Sequence, residues 1–259
     1  MNRWVKRILI AVPILVALFF GAILLYAKVL NDSPDALDEG DLSEAVAGVA
    51  TTTPDPETAT TASDASDPTV IDGTATTAAT AEAPDAGVDG TWTVTDESEF
   101  GYRVEEVLFG VNTTAAGRGN EITGSMMIQG TTVTDASFTV DVGSITSDES
   151  RRDNQFRGRI MTVDQFPQAT FTLTAPIDFD AVPGPSEQIT ATATGDLTLR
   201  GVTRPVTFDV TAESGTDRIG VLGSIPVQFA DYDIPNPSMS GITTEDNGLL
   251  EFILVFERA

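Results

Sequence analysis

Apolar and polar residues alternate in short runs over the last two thirds of the chain. In ASFTVDV, apolar side chains alternate with Ser, Thr and Asp, and the same period of two recurs in TFTLTAPIDF and RPVTFDVTA. A period of two places alternate side chains on opposite faces of a strand, so that one face is apolar. The pattern predicts strands at 91–94, 102–109, 122–129, 133–142, 169–179, 189–199, 206–212, 219–229 and 249–256.

Turn residues separate these strands, and no helical crossover is predicted between them. Arg200-Gly201 lies between two alternating runs and predicts a tight hairpin, because glycine readily adopts positive φ. Pro205 has no N–H to give to a sheet ladder, so we expect it at an edge or a bulge. Antiparallel strands without crossovers indicate an all-β fold, either a sandwich or a barrel.

Two segments depart from simple alternation. The segment GLLEFILVFERA at 248–259 is apolar on both faces, so we expect another element to cover its outer face. Between two strands, Thr146 precedes Glu149 by three residues, which predicts a capping box, and arginines follow where a helix end favours cations. This pattern predicts a short helix near 148–158.

The first thirty residues carry a membrane-like pattern. Residues 8–27 are uncharged, and as a helix they would span about 30 Å, the thickness of a bilayer core. Arg3, Lys6 and Arg7 precede the run and favour a cytoplasmic N-terminus with the remainder exported. A cleavable signal peptide is the alternative, but its apolar core is shorter and ends at a small-residue site, which LLYAKVL does not provide. We therefore predict a cytoplasmic stub and single-pass signal anchor over 1–30, with an extracytoplasmic domain at the cell membrane.

Residues 31–89 have the composition of a tether. They are rich in Ala, Thr, Asp and Pro, contain no aromatic residue, and carry fourteen acids without a base. Segments with so little apolar surface and so much unbalanced charge remain extended and disordered. We therefore predict a disordered acidic linker over 31–89, followed by a folded domain over 90–259.

Composition excludes several classes of function. The formal net charge of −25 repels phosphate backbones, so no nucleic-acid partner is expected. With no Cys and no His, the chain has no thiolate or imidazole metal site and no Ser-His-Asp or Cys-His catalysis. The acidic pairs around Asp231 and Glu245 lack the spacing of an EF-hand. We predict no metal site and no catalytic residue, and we do not expect an enzyme.

The order of motifs from Gly90 to Arg258 points to a known family. The chain carries, in this order, GTWTV, RRDNQFRG, FPQATFTL and GDLTLRGVTRPVTFDV. This series resembles the YceI-like family of exported, lipocalin-like proteins. The resemblance implies an eight-stranded antiparallel lipocalin-like barrel with one short helix, around a channel for polyisoprenoid chains such as polyprenyl lipids or quinone tails. Family members commonly carry one His inside the RDxxxR segment and another near the end of an early strand, where this chain has Gln155 and residues 107–110.

The inward face of the predicted strands is the candidate binding site. Periodicity alone leaves open a solid core or a channel, and the resemblance favours the channel. Tyr102, Arg152 and Arg157 are candidates for a polar rim, although Arg157 could instead form an ion pair with Asp153 or Glu149. The expected channel-lining residues are Phe138, Val140, Phe171, Leu173, Leu197, Leu199, Phe208, Val210, Phe252 and Leu254.

These features together predict a lipid-binding module. An isoprenoid tail offers no hydrogen bonds, so its affinity must come from buried apolar area, at about 25 cal/mol per Å² before association costs. We expect a membrane-anchored extracytoplasmic protein that holds an isoprenoid or similar apolar chain, with the membrane bound through residues 8–27. The alternative is a non-enzymatic surface interaction or stress module with a filled barrel core.

Overall fold

The computed structural model describes residues 14, 18, 21–22, 33–48, 87–184, 186–239 and 241–259. Within the predicted anchor the described residues are helical, and the rest of the anchor lies outside the described residues, as does 49–86 of the predicted linker. Among the residues that the structure describes, no helix is both long enough and apolar enough to cross a bilayer.

The described residues form twelve strands, all within one antiparallel sheet. The described parts of 33–48 and 87–259 contain two α-helices, α1 (Glu39–Val46) and α2 (Ser150–Gln155). The strands are β1 (Gly90–Val94), β2 (Glu99–Leu108), β3 (Val111–Gly119), β4 (Ile122–Gln129), β5 (Thr132–Asp141), β6 (Gln168–Ala175), β7 (Ile177–Asp178), β8 (Gln188–Leu199), β9 (Val202–Ser214), β10 (Arg218–Gln228), β11 (Ile242–Thr244) and β12 (Asn247–Arg258).

The sheet closes into an eight-stranded up-and-down barrel. β1 and β2 act as one bent strand, and so do β3 and β4, because β1 pairs with β4 while β2 pairs with β3. Around the barrel they are followed by β5, β6, β8, β9, β10 and β12, each beside its predecessor. β12 then pairs with both β1 and β2, which closes the ring. The predicted eight-stranded antiparallel barrel with one short helix, α2, is confirmed.

The barrel has two different ends. The mouth end carries the β2–β3 turn, α2, the β8–β9 turn at Arg200-Gly201, and the connection 229–246 between β10 and β12. The far end carries the turns at 130–131 and 215–217 and the start of β1. The predicted hairpin at Arg200-Gly201 is present, with positive φ at both residues. Pro205 lies where β9 pairs with β8 but beyond the β9–β10 register, as expected for an edge position.

The sequence pattern missed one long strand, β3. Its sequence, VNTTAAGRG, is rich in small residues and lacks an alternating apolar series, so periodicity gives no signal. A side chain has no room at Gly117 of β3, where an added Cβ would lie 2.8 Å from the Tyr102 ring and 3.0 Å from Ile145. β3 is therefore specified by its partner strand rather than by its own pattern.

The predicted helix is present, but its predicted cap is wrong. α2 begins after Glu149, whose side chain accepts a hydrogen bond from the Arg151 N–H, and a π-helical turn at Phe156–Ile160 continues it. Thr146 does not cap the helix because it pairs with Arg118 of β3 through hydrogen bonds of 2.8 and 2.9 Å in both directions. That pairing keeps Thr146 extended, and the helix starts later.

Residues 33–48, called the strap below, cross the outside of the barrel. A capping box at Asp38 and Asp41 starts α1. Leu42 and Val46 then pack against the outward side chains of β12. The prediction of disorder over 31–89 is wrong for this part, because composition averaged over the linker hides one apolar helical face. The prediction that another element covers the outer face of β12 is confirmed.

Polar contacts fix the strap along its length. At its start, the Ser33 hydroxyl donates to the Thr114 carbonyl over 2.7 Å. Arg103 donates to the Pro34 carbonyl over 2.7 Å and also pairs with buried Glu251 of β12. Within α1, the Ser43 hydroxyl donates over 2.7 Å to the carboxylate of Glu213, which is buried on β9. The strap is therefore held by β3, β2, β12 and β9 in turn.

Candidate functional site

The barrel interior is hollow. A cavity of about 610 Å³ runs inside it, bordered mainly by apolar side chains on the inward faces of the strands. All the residues predicted to line a channel border this cavity: Phe138, Val140, Phe171, Leu173, Leu197, Leu199, Phe208, Val210, Phe252 and Leu254. The filled core that the alternative prediction required is not the observed arrangement.

Aromatic rings cover much of the cavity wall. Phe171 meets Phe208 edge-on with ring centroids 5.6 Å apart, and Phe208 meets Phe252 in the same way at 6.1 Å. Phe138 adds two further contacts, a nearly parallel one with Phe171 at 6.5 Å and a tilted one with Phe256 at 5.8 Å. Edge-to-face contacts are a preferred packing of aromatic rings, and here they join rings from strands on several sides of the barrel.

Glycines on neighbouring strands allow these rings to lie against the wall. A Cβ added to Gly195 would lie 2.4 Å from the Phe171 ring, and one added to Gly223 would lie 2.5 Å from the Phe252 ring. The rings therefore occupy the space that a side chain would take, as aromatic residues do beside glycines in sheets. Three such pairs line the cavity: Phe138–Gly124, Phe171–Gly195 and Phe252–Gly223. Because the rings rest on backbone, the centre of the barrel stays open.

Polar groups gather at the mouth end of the cavity. Five of them border it there, on β2, on α2 or at the α2 N-cap: Glu106, Glu149, Arg151, Arg152 and Gln155. The far end is bordered by apolar residues of β4, β5, β7 and β10. The site thus combines an apolar interior with a polar mouth, which suits a ligand that has an apolar chain and a polar head.

Tyr102 and α2 form one side of the mouth. The Tyr102 ring stacks on the Phe156 ring, with centroids 4.8 Å apart and planes 15° from parallel. Burial raises the pKa of Tyr102 to about 12, while the nearby Arg152 acts in the opposite direction. Burial likewise raises the pKa of Glu106, again against the influence of Arg152. Arg152 also forms an ion pair with Asp148 one helical turn back.

Two of the three predicted rim residues border the cavity, and the third does not. Tyr102 and Arg152 lie at the mouth. Arg157 instead donates from Nε to the Gly143 carbonyl over 2.9 Å and from Nη2 to the Ile145 carbonyl over 2.8 Å. Its predicted alternative, an ion pair with Asp153 or Glu149, is also absent among the described ion pairs. Arg157 therefore fastens the π-helical turn to the segment that follows β5.

The connection 229–246 supplies mouth residues that the sequence pattern did not indicate. Pro237, Met239 and Ile242 of this segment border the cavity opposite α2. The Gln155 Nε2 atom lies 4.0 Å from the Met239 sulfur, so the two sides of the mouth meet there. The segment has no alternating pattern, which is why periodicity missed it. The family resemblance singles out Gln155 only as the residue at a position where members commonly have a His.

The chain is similar to several known proteins. The model of the YceI-like domain family matches residues 92–256. A UPF0312 protein of Vibrio parahaemolyticus is 30% identical over 128 residues, covering 46% of this chain and 64% of the relative. A UPF0312 protein of Pseudomonas putida is 31% identical over 116 residues, covering 42% of this chain and 57% of the relative. The chain thus spans less than two thirds of the length of these curated relatives.

One solved structure has the same fold over nearly its whole length. It is a polyisoprenoid-binding domain from Saccharophagus degradans implicated in plant cell wall breakdown. The two superpose with a TM-score of 0.53 at 18% sequence identity, over 65% of this chain and 98% of that domain. At this identity the likeness establishes the barrel fold.

Proposed function

Because residues 92–256 match the YceI-like domain, the chain belongs to that family, and on this basis we propose that it binds an isoprenoid or similar apolar chain inside its barrel. We further propose that it does so as an extracytoplasmic module anchored in the cell membrane through residues 8–27. The proposal is a binding role without a catalytic step.

The hollow apolar cavity carries this proposal. Its volume of about 610 Å³ falls within the roughly 300–1,000 Å³ of pockets that hold small molecules. A lining of Phe, Leu and Val gives no directional bonds, so it suits a hydrocarbon chain whose binding free energy comes from buried apolar area. A solid barrel would gain stability from filling this space, because an unfilled cavity forfeits packing contacts.

The mouth suits a polar headgroup at the end of the chain. Arg151 and Arg152 present cations to a phosphate or pyrophosphate, and the Tyr102 hydroxyl and Gln155 amide present neutral hydrogen-bonding groups to a quinone ring. The isoprenoid tail is the shared part of both ligands, and the headgroup distinguishes them. A phosphate headgroup would make binding weaken with added salt, whereas a quinone headgroup would leave it nearly unchanged.

The direct test is to identify the lipid that purifies with the protein. We expect mass spectrometry of the extract to detect an isoprenoid lipid bound to part or all of the purified protein. We also expect added polyprenyl lipid or quinone to raise the unfolding temperature. A ligand at one hundred times its Kd would raise the free energy of unfolding by about 2.7 kcal/mol.

A cavity-filling variant provides the matched comparison. Val140 and Val221 border the cavity from opposite walls, on β5 and β10, so Val140→Phe/Val221→Phe should reduce lipid retention. Ser137→Phe/Ser224→Phe places the same side chains on exposed positions of the same strands and should retain lipid. Equal retention in the two variants, or a wild-type protein that carries and gains no isoprenoid, would overturn the proposal.

A further inference from the structure

The strap gives the barrel a direction relative to the predicted anchor. Its first described residue, Ser33, contacts Thr114, which pairs with Glu105 towards the mouth end of β2 and β3. Its last described residue, Gly48, lies beside Arg218 at the start of β10: a Cβ added to Gly48 would be 3.2 Å from that guanidinium. The chain therefore runs along the outside of the barrel from the mouth end to the far end.

Few residues separate the strap from the predicted anchor. The uncharged run ends at Ala27, and residues 28–32 lie between it and Ser33. Six Cα–Cα steps reach at most about 22 Å even when fully extended. When the strap is docked on the barrel, this short segment limits the distance between the mouth end and the bilayer surface. The far end is not limited in the same way, because it lies at the other end of the barrel.

Exposed apolar side chains gather at the same end. Of the five large apolar side chains exposed in the described part of 87–259, four lie at the mouth end, and the fifth, Val182, lies at the far end. At the mouth end, Val107, Phe109 and Met239 are 36%, 51% and 42% exposed, and Leu249 borders the cavity. Clusters of exposed apolar side chains mark interaction surfaces more often than isolated ones do.

Val107, Phe109 and Met239, called the lip below, belong to adjoining segments. The Phe109 N–H donates to the Gly241 carbonyl over 2.8 Å, and Met239 pairs with Ile242, which in turn pairs with Leu108 of β2. Exposed Arg151 borders the same opening. Apolar side chains beside an arginine suit the lipid headgroup level, where the apolar groups insert and the guanidinium stays with phosphates and water.

We propose that the mouth end of the barrel docks on the bilayer that holds the anchor, with the lip inserted at headgroup level. An apolar chain then passes between membrane and cavity without crossing water. The strap sets this geometry, because it fixes the mouth end close to the point where the chain leaves the membrane. This inference rests on the proposed function, since it assumes a membrane anchor at residues 8–27.

Single cysteine labels can locate the bilayer, because the chain has no cysteine of its own. Asn112 is exposed beside the lip, and Asp217 is exposed in the β9–β10 turn at the far end. β10 separates the two ends, and its eleven residues span about 35 Å. Full-length Asn112→Cys and Asp217→Cys proteins would each carry a fluorophore and be reconstituted into phosphatidylcholine vesicles with brominated acyl chains. We expect quenching at residue 112 and none at residue 217.

Two sets of variants separate the lip from the strap. In the Asn112→Cys background, Phe109→Ser/Met239→Ser should remove most of the quenching, whereas Val182→Ser should leave it unchanged. Gly220→Val should also reduce quenching, because a Cβ at Gly220 already lies 2.4 Å from Val46 and 2.7 Å from Leu42 of the strap. Ser224→Val, on an exposed position of the same face of β10, is the control and should keep it.

The outcomes separate this inference from the proposed function. Protein that floats with the vesicles and retains isoprenoid, but shows equal quenching at residues 112 and 217, would overturn the docking while leaving lipid binding intact. A different outcome is a label at residue 112 that becomes shielded from solvent as protein density rises, with or without brominated lipid. That result would mean that a second copy covers the lip, and it would also overturn the docking. Protein that does not float with the vesicles would overturn both the predicted anchor and this inference.

Discussion

Two adjacent residues of β12, one on each face of the strand, are equally buried but have different neighbours. Ile253 on the outer face and Leu254 on the inner face are each 4% exposed. Ile253 belongs to a small cluster with Leu42, Val46 and Val255, closed by the strap. Leu254 borders the barrel cavity. One face of the strand is thus packed against a helix, and the other forms the wall of an open space.

This difference teaches that burial alone does not separate a packed contact from a binding wall. Both side chains are almost fully buried, although Ile253 packs beneath the strap and Leu254 borders the cavity. The two side chains differ in whether empty space lies beyond the residues that contact them. On the outer face a lost methyl group leaves a void, whereas on the inner face it joins a cavity that already exists.

The largest expected effect comes from matched valine truncations on the outer and inner faces of the barrel sheet, Val255 on β12 and Val221 on β10. Val255 is 0% exposed beneath the strap, whereas Val221 borders the cavity and is partly exposed. Val255→Ala should lower the free energy of unfolding by about 2–3 kcal/mol, and Val221→Ala by less than about 1 kcal/mol. Urea denaturation of the purified variants measures both values. Equal losses would mean that the inner wall is packed as tightly as the outer cluster.

A smaller contrast is expected from two glycines on β10. A Cβ at Gly220 would press on Val46 and Leu42, and a Cβ at Gly223 would press on the Phe252 ring at 2.5 Å. Gly220→Ala should cost about 1–2 kcal/mol and expose the strap to protease, because the added Cβ would push α1 away from the barrel. Gly223→Ala should change stability by less than about 1 kcal/mol, because Phe252 moves into the cavity. A larger loss for Gly223→Ala would reverse the comparison.

The smallest effect concerns the polar mouth and appears only at high pH. Burial raises the pKa of Tyr102 from 10.0 to about 12, so the folded state disfavours the phenolate. The stability that this provides is complete below pH 10 and is lost as the pH rises through 12. A titration of phenolate absorbance should show one tyrosine ionising near pH 12, and Tyr102→Phe should remove that step. Ionisation of Tyr102 near pH 10 would indicate a mouth filled with water.

The strands and their apolar face could be predicted from the sequence because both depend on a period of two, whereas the choice of a barrel over a sandwich rested on the family resemblance. Phe171 and Leu173 fall on one face of an alternating strand, and a closed sheet must turn that face inward. β3 was not predicted, because its buried residues are small and form no alternating apolar series, and Gly117 has no room for a side chain beside the Tyr102 ring. The distinction between hollow and filled was not readable either. It depends on which glycine lies beside each ring, and that pairing is set by register between strands.

The polar part of the site was predicted less well than the apolar part. Arg152 and Arg157 are both basic residues of one short helical segment, and the charge pattern does not say which of them faces the opening. The helix phase decides this: the π-helical turn at Phe156–Ile160 sends Arg157 towards the carbonyl groups of Gly143 and Ile145. The strap was missed because a segment of sixteen residues was averaged with the longer acidic stretch around it.

The path of the strap determines what cleavage within the acidic segment 49–86 would do to the protein. Gly48 lies beside Arg218, and the Gly87 carbonyl accepts a hydrogen bond from Arg258. Arg218 and Arg258 lie on paired strands at the same end, so Gly48 and Gly87, the described residues on either side of 49–86, both lie at the far end of the barrel. Cutting the chain there would not release the barrel. It would leave two pieces held together by the described contacts of the strap, and with the proposed anchor at residues 8–27, release of the barrel would follow the dissociation rate of those contacts.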